Sequence, residues 1–197
     1  MAIVGAHQVV VLGMHRSGTS AVIKLLEKIG CHIGDASEFL ESNDANPKGY
    51  WERLDVVNVN KSLLASQNKD WMSIGDFKLS EVPKPLLKKF QIETARIVDT
   101  LNMHQCWAIK DPRMSLLMPY WKKFLRSPLY VLCVRNPVEV AKSLSKRNQL
   151  PLVVGCALWE LYTVSMIDAA ENAPRIYIDY QSLLDDPAGE ARRRGQP

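Results

Sequence analysis

A glycine loop between a strand and a helix constrains this chain more than any other feature. Gln8 to Leu12 is a short, largely β-branched run that ends on Gly13, and Ala21, Val22, Leu25, Leu26 and Ile29 follow at helical spacing. Between them, Gly13-Met14-His15-Arg16-Ser17-Gly18-Thr19-Ser20 has the spacing G-x-x-x-x-G and ends in two hydroxyl residues. The amides of such a loop converge on one point, and the positive end of the following helix backs them, so the segment is suited to hold phosphate oxygens. His15, Arg16, Ser17, Gly18, Thr19 and Ser20 are therefore the first candidates for nucleotide binding. His15 enters as loop backbone with an optional donor.

The position that carries lysine in nucleotide triphosphatases is Thr19 here. That lysine contacts the β and γ phosphates while the hydroxyl residue holds Mg²⁺, so its absence argues against ATP hydrolysis. A P-loop nucleotide or small-molecule kinase stays as an alternative, as does a non-catalytic nucleotide-binding protein of the same fold. Arg16 places a forked, permanent cation inside the loop itself.

Downstream, the chain alternates between helical and strand patterns. Helices are expected over Leu54 to Gln67, Pro83 to Met103, Ser115 to Leu125, Pro137 to Arg147 and Pro151 to Ala170. Strands are expected at Cys106 to Ile109, Leu129 to Val134 and Arg175 to Ile178. Strands separated by such helices imply a three-layer α/β/α fold around a central parallel sheet, like that of the P-loop nucleotide triphosphate hydrolases. With 197 residues, one domain over 1–197 is expected. The net charge of +4, from 25 basic and 21 acidic residues, suits an anionic ligand without indicating a nucleic-acid binder. Cys31, Cys106, Cys133 and Cys156 have no metal-type spacing and read as reduced core residues, so no metal ligand set is expected. No basic leader opens the chain and no run approaches the ~18 consecutive apolar residues of a membrane span, which makes a cytoplasmic protein the expectation.

A second motif follows the clearest strand. Arg135-Asn136-Pro137 closes Leu129 to Val134, with Asn136 as helix cap, Pro137 as first helical residue and Glu139 as partner in a capping box. Ser143 lies seven residues after Asn136, on the same helical face. Arg135 and Ser143 are thereby candidates for a further anion at the carboxyl edge of the sheet.

The loop H-R-S-G-T-S, together with R-N-P and a serine eight residues after that arginine, resembles the sulfotransferase superfamily. Asn46-Pro47-Lys48-Gly49-Tyr50-Trp51-Glu52, Lys110-Asp111-Pro112-Arg113 and Tyr180 to Pro187 extend the resemblance to a bacterial branch, over Val9 to about Pro187. It implies a donor, 3′-phosphoadenosine 5′-phosphosulfate (PAPS), with its phosphosulfate on the first motif and its 3′-phosphate on Arg135 and Ser143. The acceptor would be a hydroxyl or amine of a small molecule or glycan. Two departures stand out: His15-Arg16 replaces a common Pro-Lys, and the glycine- and lysine-containing closing motif of cytosolic members has no counterpart after Asp186.

Sulfuryl transfer needs a base for the acceptor proton and cations near the leaving phosphate. Arg16 and Lys110 are the cation candidates. No histidine follows Lys110, so the base is sought among carboxylates: Glu52 first, Asp111 second, then Asp35 or Glu38. Glu52 alternatively serves as a first-turn acid of the next helix, and Asp111 as an ion-pair partner of Arg113. Trp71, Trp107, Trp121 and Trp159 are expected in core or rim packing, and Lys24 and Lys28 on a solvated face.

Overall fold

The computed structural model describes residues 7–41 and 49–186. Four strands, β1 (His7–Leu12), β2 (Cys106–Lys110), β3 (Leu129–Val134) and β4 (Arg175–Asp179), form one parallel sheet in the order β2-β1-β3-β4. β1 lies between β2 and β3, with Val9 opposite both Ala108 and Leu129. The loops after β1 and β3 consequently leave the sheet side by side at its carboxyl edge, the place where parallel sheets gather ligands.

Alternation along β1 divides the core. Val10 and Leu12 point to one face and Val9 and Val11 to the other, all at most 5% exposed. The second face is covered by α1 (Thr19–Lys28) and α7 (Tyr180–Asp185), through Val22, Ile23 and Leu183. The first is covered by α2 (Leu54–Ala65), α3 (Lys84–Leu101), α4 (Met114–Trp121), α5 (Pro137–Asn148) and α6 (Leu152–Ala169). Trp107 and Trp121 are fully buried there, in the packing role expected of them. The three-layer α/β/α reading holds, with a helix, α7, where only a tail was expected.

Boundaries moved where caps decide them. α5 begins as anticipated, with Asn136 Oδ1 accepting from the amides of Val138 and Glu139, but Glu139 turns outward to Lys142 and does not close a reciprocal box. α4 stops at Trp121, short of Leu125, as the chain tightens into a turn with Phe124 N donating to Trp121 O. Arg53 occupies the cap of α2, so Glu52 lies outside that helix and the first-turn acid is Asp55.

Two further features were not anticipated. Cys31 and Cys106, 75 positions apart, bring their sulfurs to 2.7 Å at the amino edge of the sheet, and burial pushes the Cys31 thiol up to about 12. They remain reduced core residues, but adjacent ones. α6 is long and apolar enough to cross a membrane by length and composition, with mean hydropathy 1.4 over its 18 residues, because Glu160 and Asp168 interrupt its apolar run without lowering the average much. Its inner face, including Leu158, Tyr162 and Met166, is built into the core. The polar tail after Asp186, Arg192 to Arg194 included, and Asn46 to Lys48 of the long loop lie outside the described residues.

α5 and α6 approach closely at Gly155, where an added Cβ would stand 2.8 Å from Ala141 Cα. Gly155→Val is expected to destabilise the fold by about 1–3 kcal/mol through overpacking. The check is the urea midpoint; an unchanged midpoint would show that the helix pair parts at no cost.

Candidate functional site

The phosphate loop takes its shape from two left-handed residues, Arg16 at φ 71° and Gly18 at φ 87°. At Gly18 a Cβ would come within 2.1 Å of the Tyr180 ring, so both backbone conformation and space demand glycine. α1 then starts with no side-chain cap and no acid in its first turn. Its first amides, which have no partner within the helix, keep their positive end available to an anion. Ser115 Oγ braces the base of the loop, accepting from Gly13 N at 3.0 Å.

Arg16 joins the two motifs. Its Nε donates to Ser143 Oγ at 2.8 Å, and its carbonyl accepts from Arg135 Nη1 at 2.8 Å. Ser143 keeps its own proton for a ligand, and Arg135 keeps further N–H groups beyond the one spent on the loop. Arg135 is itself held from two sides: Trp159 Nε1 donates to its carbonyl at 2.9 Å, and its guanidinium lies over the Tyr180 ring at 4.7 Å. Trp159 thus does more than pack; it fixes the carboxyl end of β3.

The amine missing at Thr19 comes from the neighbouring strand. Lys110, 3% exposed at the end of β2, donates to Ser20 Oγ at 3.2 Å, to Tyr50 O, and to Glu52 Oε1 at 2.9 Å. Glu52, 4% exposed, also accepts from Arg113 Nη2 at 3.3 Å. Behind them runs a buried relay. Trp121 Nε1 donates to Asn60 Oδ1 at 2.7 Å, and Asn60 Nδ2 to Asp111 Oδ2 at 2.9 Å. Asp111 in turn accepts from the amide and Nε of Arg113, each at 3.0 Å. Asp111 is fully enclosed and takes the ion-pair role with Arg113, so it positions Glu52 through that arginine. Asp35 and Glu38 form a capping box on a short 3₁₀ turn, with Glu38 paired to Arg53 at 2.8 Å, outside the cavity.

A cavity of about 530 Å³ opens at the carboxyl edge of the sheet. Among the described residues its wall carries Arg16, Lys24, Lys110, Arg135 and Arg147 against one carboxylate, Glu52. Lys24 was expected in solvent; it instead lies 3.9 Å over the Trp51 ring and pairs with Glu27. Trp51 and Arg147 escaped the sequence reading. Arg147 could have been found, because it follows Ser143 by four residues and so shares its helical face. His15 packs its ring 4.5 Å from Trp71; burial, with Arg113, Arg147, Lys110 and Arg16 adding to it, holds its imidazole well below the usual value and therefore neutral. His15 Nε2 and Ser17 Oγ are buried with no hydrogen-bond partner among the described residues.

A parallel sheet with a glycine loop, an open helix start and an excess of cations around one cavity defines an α/β protein whose site has the chemistry to accept an anion. The chain belongs to the sulfotransferase family, whose model matches residues 8–193. Among solved structures it is similar to the sulfotransferase domain of the olefin synthase of Synechococcus PCC 7002, at 15% identity and TM-score 0.56, covering 96% of this chain and 72% of that one. A sulfotransferase domain from the curacin biosynthetic pathway has 12% identity and TM-score 0.53, with 96% and 72% covered. A sulfotransferase from Mycobacterium avium has 16% identity and TM-score 0.53, and this chain spans 62% of its length. No curated protein matches the sequence. At such identities the structures establish the fold, and the family match supports sulfuryl transfer as the general activity.

Proposed function

We propose that this chain transfers a sulfuryl group from PAPS to a hydroxyl or amine of a small-molecule or glycan acceptor, without a metal. The observation that carries the reading is the Arg135–Arg16–Ser143 contact, which makes one continuous surface from two motifs 119 and 127 residues apart. Such a surface fits a ligand with two separated anionic groups. The unpartnered Ser17 hydroxyl and the Gly18 cradle support the fit at the loop end.

When bound, the donor supplies an electrophilic sulfur and a phosphate leaving group. The residues of the chain do the rest. The first amides of α1, Arg16 and Lys110 face the place where negative charge accumulates as the sulfur–oxygen bond breaks. Arg135 and Ser143 hold the 3′-phosphate, and Trp51 and Tyr180 are the aromatic walls available to a purine. Glu52 accepts the acceptor proton while Lys110 and Arg113 fix its carboxylate in place.

Calorimetric titration tests the donor. Adenosine 3′,5′-bisphosphate is expected to bind about tenfold or more tightly than AMP, the usual worth of a charge-assisted contact, because it alone engages Arg135 and Ser143. Equal affinities would remove the 3′-phosphate assignment.

A further inference from the structure

Arg147 stands in the wall of the cavity, and no part of the donor reading uses it. It sits one helical turn beyond Ser143 on α5, with its guanidinium 5.6 Å from the centroid of the Trp71 ring. Its Nε donates to Asn148 Oδ1 at 2.6 Å, and among the described residues no carboxylate forms an ion pair with it. Burial and the nearby Arg16 both work against its charge, a cost that a bound anion would offset. A second polar group lies beside the same ring: His15 Nε2, buried and with no hydrogen-bond partner among the described residues. The other cavity cations already have work, since Lys110 holds Glu52, Lys24 pairs with Glu27, and Arg16 and Arg135 link the two motifs.

Arg147 and Glu52 line the same cavity. One small molecule can therefore place a hydroxyl at Glu52 and an anion at Arg147. We propose that Arg147, against Trp71 and with His15 beside it, binds a carboxylate, sulfate or phosphate carried by the acceptor, so that the acceptors of this enzyme are anionic alcohols or amines. The proposal rests on the transfer reading above. It makes Arg147 a specificity residue, and it separates the anion of the acceptor from the two anionic ends of the donor.

The experiment uses the full chain saturated with adenosine 3′,5′-bisphosphate and matched ligand pairs: glycerol 3-phosphate against glycerol, 4-hydroxybutyrate against 1,4-butanediol, and N-acetylglucosamine 6-sulfate against N-acetylglucosamine. Calorimetry is expected to show at least one charged member binding about tenfold or more tightly than its neutral partner. Arg147→Gln should erase that preference and Arg147→Lys keep part of it, with bisphosphate affinity retained in both, which also reports that the variants fold. Charged and neutral members behaving alike in every pair, a preference that survives Arg147→Gln, or a loss of bisphosphate affinity in Arg147→Gln as large as in Ser143→Ala would each overturn the proposal. Failure of the wild-type chain to bind the bisphosphate would count against the donor reading instead, and the same pairs titrated without nucleotide would still decide on Arg147.

Discussion

Arg16→Ala is expected to lower turnover by roughly 10²–10³-fold, the range found when one preorganised donor to a developing charge is removed. Two effects combine in that loss. The guanidinium that the proposed reading sets against the transferring group disappears, and with it the bond to Ser143 that holds α5 against the loop. Arg16→Lys separates them, since an ammonium restores the charge but not the fork geometry, and partial recovery is expected. On the proposed reading, in which Arg16, Lys110 and the α1 amides do the work that Mg²⁺ does for a γ-phosphate, transfer by the wild-type chain is expected to persist in excess chelator. Turnover of Arg16→Ala within tenfold of wild type would take this residue out of the transition state, and a strict Mg²⁺ requirement would argue against the whole donor assignment.

Glu52→Gln is expected to leave bisphosphate binding nearly intact and to cut turnover by about 10²-fold or more, the usual contribution of a positioned base. The amide keeps one oxygen for Lys110 Nζ, while its NH₂ faces Arg113 Nη2, so one contact is kept as the other is lost together with the proton acceptor. Glu52→Ala goes further. It leaves Lys110 and Arg113 buried without their shared carboxylate, and the expected cost is about 3–5 kcal/mol of stability in a denaturant titration. If Gln retained full turnover while Ala unfolded the chain, Glu52 would be a structural counterion, and the acceptor proton would leave by another route.

The parts of the site that lie within one short stretch were legible in the sequence. The loop after β1 and the Arg135-Asn136-Pro137 turn after β3 are local strings with local physical meaning, and strand-to-helix context was enough to put them at one sheet edge. Glu52 was harder. Its burial depends on Lys110 and Arg113, 58 and 61 positions away, and on Arg53 taking the helix cap, a shift of register too small for propensity to resolve. Asp111 stood second to Glu52 as a base candidate, and its enclosure by Asn60 and Arg113 is not visible in the sequence. Lys24 went astray because charged residues one turn apart on a helix normally face water, and only the tertiary position of Trp51 says otherwise. The Cys31–Cys106 contact could not be seen at all, since it follows from which strand β1 chooses as its neighbour.

That choice of neighbours has a consequence during synthesis. Of the four strands, β1 is made first, yet it lies inside the sheet and pairs with β2, about a hundred residues later, and β3, later still. At ~5–20 residues per second, its Val9–Leu12 run spends on the order of 10 s with both edges open. Over that interval the nascent chain carries an unpaired, strongly apolar strand, and the cavity does not exist because Arg135 has not been made. The ligand can reward only the finished sheet, so a saturating donor is expected to protect this chain against unfolding without helping it through its most aggregation-prone stage.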